Sequence, residues 1–318
     1  MNASGERRTA VVTGAAGFLG GHMVERLLAE GYRVRAIDLD GARFARSLGA
    51  VADDPNLTFD DRGILDIPAG DPIFGGLDAL FHFAGRIDPV TSMQDPEGFM
   101  QANVLALARV LDGLRQGGKG KIVYASTAAI YGRQTGAIKE TAAPQPVNPY
   151  GFTKLLGEQA ISHWTRVFSV PGLVFRLFAV YGPRSEFGST VNTMIERKLA
   201  GLPLVITGDG NQIRDFLHVS DVIAAMLLGA ETELPGTAYN LGAGRPTSMN
   251  ELAAAVGGRI EYLPARPNEI MAVHADTAAI RADSAWAPAM SLADGIADTV
   301  AHYRTLGAAA HGRETLAG

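Results

Sequence analysis

Thr9-Ala10-Val11-Val12-Thr13-Gly14-Ala15-Ala16-Gly17-Phe18-Leu19-Gly20 runs from a short apolar segment straight into a glycine-rich turn. The apolar part, Ala10–Thr13, predicts a buried strand. His22–Glu30, closed by Gly31, predicts the helix that follows. Between the two, each glycine has a physical use. Gly14 permits the tight turn, Gly17 lets main-chain amides approach a pyrophosphate, and Gly20 lets helix and strand pack closely. Phe18 and Leu19 carry the turn into the helix, whose start adds oriented N–H groups and partial positive charge. Asp38 ends the second predicted strand, Arg33–Asp38. A carboxylate there accepts hydrogen bonds from adenosine ribose hydroxyls and repels a 2′-phosphate. The expected cofactor is therefore NAD rather than NADP.

Outward from this stretch the pattern alternates. Strands are expected at Leu77–Phe83, Lys121–Ala125 and Gly172–Phe178, and helices at Pro96–Gln116 and Tyr150–Phe168. Strands alternating with helices imply parallel βαβ units, so the fold class is α/β with a doubly wound parallel sheet, a Rossmann arrangement. Ligands then bind at the carboxyl ends of the strands. After Tyr181 proline and glycine become frequent. Helices are still expected at Met194–Ala200, Val222–Leu228, Asn250–Val256 and Leu292–Tyr303, with Ser248 and Ser291 as caps. The expected division is a cofactor domain over 1–180 and a smaller α+β substrate lobe over 181–213 and 241–307. The segment 214–240 is expected to return to the first domain, because Phe216–Val219 is apolar enough to rejoin the main sheet. The tail, 308–318, is small and polar and expected to be disordered.

The 318 residues are 47% hydrophobic and carry a net charge of −5 with no basic run, which gives no support to nucleic-acid binding. There are no cysteines, so disulfides and thiolate chemistry are excluded. The seven histidines show no ligand spacing, so no metal is expected. No apolar run suits a signal peptide or a membrane span, and the expected location is cytoplasmic.

Thr127, Tyr150 and Lys154 form the candidate chemical site. Tyr150 and Lys154 are one helical turn apart and share a face. A phenol of pKa about 10 is a poor base at neutral pH, and a nearby ammonium together with a positive nicotinamide lowers it. The phenolate can then take a proton from a hydroxyl while hydride leaves the same carbon. Thr127 can hold the substrate oxygen in line.

These residues, in this order, resemble the extended short-chain dehydrogenase/reductase family, and within it the branch of nucleotide-sugar 4-epimerases, over about Thr9–Tyr303. The resemblance assigns further positions. Asp66-Ile67 is similar to the pair that reaches the adenine, and His82-Phe83-Ala84-Gly85 to the segment under the cofactor. Ser92 resembles a substrate-side serine and Asn103 a structural asparagine. In Gly208–Val222, Arg214 resembles the arginine that contacts a nucleotide diphosphate. Arg266 and Glu269 resemble the pair that holds diphosphate and ribose. Arginine forks suit a diphosphate in a partly dry cleft.

Two departures bear on substrate. Ala179 stands where the family usually has a phosphate-contacting asparagine. Ala128 and Ala129 stand where family dehydratases carry an Asp-Glu pair. The resemblance implies NAD-dependent epimerisation at carbon 4 of a nucleotide-diphosphate sugar by a homodimer, using the helices Pro96–Gln116 and Tyr150–Phe168. Two other readings are a one-way NAD(P)H-dependent reductase of 4-ketosugars and a non-catalytic NAD sensor. Retention of NAD through purification separates the first from an epimerase. The second usually requires loss of Tyr150 or Lys154, and both are present.

Overall fold

The computed structural model of the chain describes residues 7–118, 120–185, 189–265 and 270–305. The expected tail over 308–318, and Arg266 and Glu269, lie outside them. The chain divides into two compact units. One draws on 1–132, 143–176 and 223–239, and the other on 133–142, 177–222 and 240–318.

The first unit is built on a seven-stranded sheet. Its strands are β1 (Thr9–Thr13), β2 (Arg33–Ile37), β3 (Leu57–Asp60), β4 (Ala79–His82), β5 (Lys121–Thr127), β6 (Gly172–Leu177) and β7 (Ala238–Leu241). Their order across the sheet is β7-β6-β5-β4-β1-β2-β3. The β1–β2, β2–β3, β1–β4 and β4–β5 pairs are parallel. β1 and β4 are buried along their whole length, as strands covered on both faces must be. The order reverses between β1 and β4, so their carboxyl ends flank a topological switch point. The helices are α1 (Phe18–Ala29), α2 (Gly41–Leu48), α3 (Pro89–Gln94), α4 (Pro96–Met100), α5 (Ala106–Gly117) and α6 (Pro149–Phe168), with most of the helix Val219–Glu231. A π-helical turn over Gln101–Leu105 joins α4 to α5, so the expected helix Pro96–Gln116 is helical throughout but not regular. Leu107, Val110 and Leu111 on the first of the two helices expected to form the dimer are fully buried in the core of this unit. Met100 and Leu105 on the same helical stretch, and Phe152 on α6, are exposed instead.

In the second unit Ala179–Tyr181, Ile213–His218 and Pro246–Ser248 form a three-stranded sheet, and two further strand pairs join Leu204–Thr207 to Ile260–Leu263 and Gly136–Ile138 to Val273–Ala275. The core gathers Tyr181, Val191, Met194, Ile195, Leu252 and Tyr303. The expectation that Phe216–Val219 rejoins the main sheet does not hold. Phe216, Leu217 and His218 pair in register with Ala179, Val180 and Tyr181. Apolar character alone does not say which sheet a strand joins.

Candidate active site

The turn after β1 has the geometry that its glycines allow. Gly14 lies at φ +71°, and its N–H and that of Ala15 donate to Ile37 O at 2.9 and 3.2 Å. A Cβ on Gly14 would sit 2.7 Å from Ala84 N, and one on Gly20 would sit 2.0 Å from Gly14 O. Gly17 caps α1 through its backbone, and no side chain caps that terminus. Its N–H groups therefore face outward for an anion. Phe18 and Leu19 are half-buried in the first turn. Asp38, just past β2, accepts from Ala16 N at 2.9 Å and from Asp40 N at 3.1 Å, which fixes its carboxylate beside the turn. These features fit a dinucleotide with an unmodified ribose.

Asp66 is exposed at the end of a single 3₁₀ turn, while Ile67 is buried and its carbonyl accepts from Arg109 at 2.9 Å. Phe83 and Ala84 leave β4 with their N–H groups bonded to Thr13 O at 3.1 Å and Thr13 Oγ1 at 3.3 Å. Gly85, at φ +148°, lies so close to Asn103 that a Cβ would meet Oδ1 at 2.7 Å. Asn103 sits in the π-helical turn. It accepts from Arg86 N at 2.7 Å and donates to Arg86 O and Thr153 Oγ1, both at 2.9 Å. It thus ties the segment after β4 to α6. Ser92 is fully buried, and its hydroxyl donates to Pro89 O at 2.7 Å within α3.

The chemical residues meet at the end of β5. Asn148 caps α6 by accepting from Gly151 N at 2.8 Å, which starts the helix just ahead of Tyr150. Thr127 hydrogen-bonds the Tyr150 phenol. Lys154 is 3% exposed, and its ammonium donates to Ala125 O at 2.9 Å and lies 4.8 Å from the Tyr124 ring centroid. Burial draws Lys154 down to about 8, with the carboxylate of Glu158 working against it. The expectation that a lysine brings the phenol down meets a larger effect. Burial pushes Tyr150 above its ordinary value, and the Thr127 bond pulls it partway back.

Beneath these three lie further polar groups, of which sequence reasoning marks only His82, through its resemblance to the segment under the cofactor. His82, fully buried, shares a 2.8 Å hydrogen bond with Thr13 and stacks on Tyr124. Burial first, and the Lys154 charge second, push His82 down to about 3, so it is neutral. Glu158, Ser126, Arg176 and Tyr131 are joined by further buried hydrogen bonds. The one local signal was Glu158 itself, four residues past Lys154 on the same helical face.

In the second unit, Arg214 Nη1 donates to Ile213 O and Ile270 O at 2.8 and 2.9 Å. The neighbouring Asp215 is buried and accepts from Ala243 N, Gly244 N and Ala275 N at 2.6, 3.2 and 3.0 Å. Asp221 likewise accepts from Ala289 N and Met290 N at 2.9 and 3.1 Å. Much of the motif Gly208–Val222 therefore shapes backbone.

A dinucleotide turn at a switch point, with a Thr–Tyr–Lys face at the end of β5 and the start of α6, defines an α/β enzyme of the dehydrogenase/reductase class. A family profile described as NAD dependent epimerase/dehydratase family matches residues 10–242, and the chain belongs to that family. Its curated relatives include the UDP-glucose 4-epimerase of Mycolicibacterium smegmatis, 30% identical over 92% of this chain and 98% of that one. They also include a dTDP-glucose 4,6-dehydratase of Streptomyces griseus, 31% identical over 92% of this chain and 93% of that one. Among solved structures, UDP-glucuronic acid 4-epimerase from Bacillus cereus, in complex with UDP-glucuronic acid and NAD, superposes with a TM-score of 0.86. That protein is 27% identical, over 94% of this chain and 99% of its own.

Proposed function

We propose that this protein inverts carbon 4 of a nucleotide-diphosphate sugar through a transient 4-keto intermediate, with NAD recycled inside each turnover. The observation that carries the reading is the placement of Thr127, Tyr150 and Lys154 at the end of β5, two strands from the dinucleotide turn. Bound NAD supplies the chemistry of taking a hydride from carbon 4 and returning it. Tyr150 Oη takes the proton of the 4-hydroxyl and gives it back, while Thr127 Oγ1 holds the substrate oxygen in line. Lys154 supplies the positive charge that favours the phenolate. Gly14, Gly17, Gly20 and Asp38 hold the pyrophosphate and ribose, and Asp66 and Ile67 meet the adenine. Arg214, with Arg266 and Glu269, anchors the nucleotide diphosphate so that the sugar can turn. Ser92, whose hydroxyl donates to Pro89 O, can still accept a hydrogen bond from the substrate.

Ala128 and Ala129 beside Thr127 supply no acid to eliminate water, which favours inversion over the dehydration of the Streptomyces griseus relative. They also offer nothing to a carboxylate, which favours a neutral hexose or pentose. The reading carries with it a cytoplasmic homodimer with no nucleic-acid or membrane partner. None of the described helices is long and apolar enough to cross a bilayer.

The test is incubation with UDP-, dTDP-, GDP- and CDP-sugars, uronic acids included, without added reductant. Deuterium at carbon 4 should be retained in the inverted product. Exchange of that label into solvent, or a stoichiometric need for NADH, rejects the reading in favour of a one-way ketosugar reductase.

A further inference from the structure

Tyr150, Lys154 and Glu158 are spaced by four along α6 and share one face. Three successive residues at the end of β5 hold them one by one. Thr127 bonds the phenol, Ala125 O takes the ammonium at 2.9 Å, and the Ser126 hydroxyl donates to the Glu158 carboxylate. Arg176 on β6 then forks onto that carboxylate, with Nε at 3.1 and 3.2 Å and Nη2 at 2.8 Å, while its Nη1 donates to Tyr131 Oη at 2.8 Å. Glu158 and Arg176 are both buried. A buried ion pair is a weak source of stability, and a neutral pair of similar volume often packs as well. The place of this pair, one helical turn behind Lys154, gives it a second use.

We propose that Glu158 is a positioning residue for the reaction put forward above. Its carboxylate, fixed by Arg176 and Ser126, is the counter-charge that holds Lys154 as an ammonium when the cofactor's positive ring adds a second cation. The inference rests on the epimerase reading only in needing Tyr150 and Lys154 as the acid–base pair. The titratable groups around Lys154 are Tyr150 and Glu158 on α6, Tyr124 on β5, His82 on β4, Arg176 on β6 and Tyr131 after β5. Glu158 and Arg176 form the buried ion pair, and His82 is held neutral by burial. The tyrosines are neutral phenols, Tyr124 being pushed up by burial. Glu158 is therefore the negative charge that favours the ammonium against burial.

Glu158→Gln keeps the shape and removes the charge. The Lys154 side-chain NMR signal, assigned by its loss in Lys154→Met, should titrate about one pH unit lower in Glu158→Gln than in wild type. The alkaline limb of kcat/KM should move down with it. An unmoved midpoint, or activity lowered by one constant factor at every pH, overturns the proposal and leaves the pair a packing element. Where the single variant does not fold, Glu158→Gln combined with Arg176→Met leaves a neutral pair. The shift there keeps its sign, because Glu158 adjoins Lys154 while Arg176 reaches it through that carboxylate, and an unmoved midpoint again overturns the proposal. Normal turnover by Tyr150→Phe would sink the epimerase reading instead, while the NMR midpoint still judges the link from Glu158 to Lys154.

Discussion

Lys154 is as buried as a core leucine, and an ammonium in that position costs stability. Its pKa falls from the ordinary 10.5 to about 8. Between these values the unfolded chain keeps a proton that the folded chain has released, so stability rises with pH across that window. Below it the full penalty stands, about 3 kcal/mol for a shift of this size. Lys154→Met is therefore expected to stabilise the protein by about 1–3 kcal/mol at pH 7 while removing turnover, the trade expected of a strained functional residue. The gain should shrink by pH 10, and thermal melts at the two pH values check both parts. Tyr150→Phe should lower kcat/KM by roughly a hundredfold or more. It should leave the purified protein's NAD content unchanged, since the glycine turn does the holding. The Tyr–Lys pair was legible in sequence because both partners lie on one helix. Glu158–Arg176 and Thr13–His82 were not, because each partner comes from a distant part of the chain and only the sheet brings them together.

At the scale of elements, the glycine turn shows how local chemistry becomes visible in sequence. Each glycine answers a contact within a few residues, or across to Ala84. Gly20→Ala would drive a methyl to 2.0 Å from Gly14 O, and Gly17→Ala only to 3.1 Å from the same atom. The first is expected to yield protein largely without NAD, and the second a milder loss, measured as cofactor released on denaturation. By contrast α2 and β3 left little trace. α2 opens on glycine and buries only Phe44 and Leu48, and β3 is a four-residue edge strand with no buried residue. Neither presents the apolar run that marked β1 and β4. The π-helical turn was invisible for another reason. It holds Asn103, whose side chain satisfies both main-chain groups of Arg86, a contact that the local sequence does not show. Asn103→Ala leaves those groups short of partners and is expected to cost about 2–3 kcal/mol in chemical denaturation.

At the scale of the molecule, acid stability should bear the mark of His82. Its pKa in the folded protein, about 3, lies below the ordinary 6.5. Between the two the unfolded chain binds the extra proton, so stability falls as pH drops through this window, by up to about 1.4 kcal/mol per unit. His82→Phe should flatten that decline in melts between pH 6.5 and 4. The proposed dimer is tested through exposed rather than buried apolar residues. Leu105→Glu combined with Phe152→Lys should leave a folded monomer in sedimentation at micromolar concentration, and an unaltered mass would reject this surface.

The path of the chain between the two units has a consequence for how such a protein can be diversified. It passes from one to the other after residues 132, 142, 176, 222 and 239. A gene recombined with a relative after 142, 176 or 222 would mix parental segments inside both units at once, and a crossover after 132 or 239 would still split one of them. Exchanging the second unit alone would require separate segments to be transplanted together. No single crossover therefore exchanges one unit and leaves the other intact, whereas point substitutions change either unit one residue at a time.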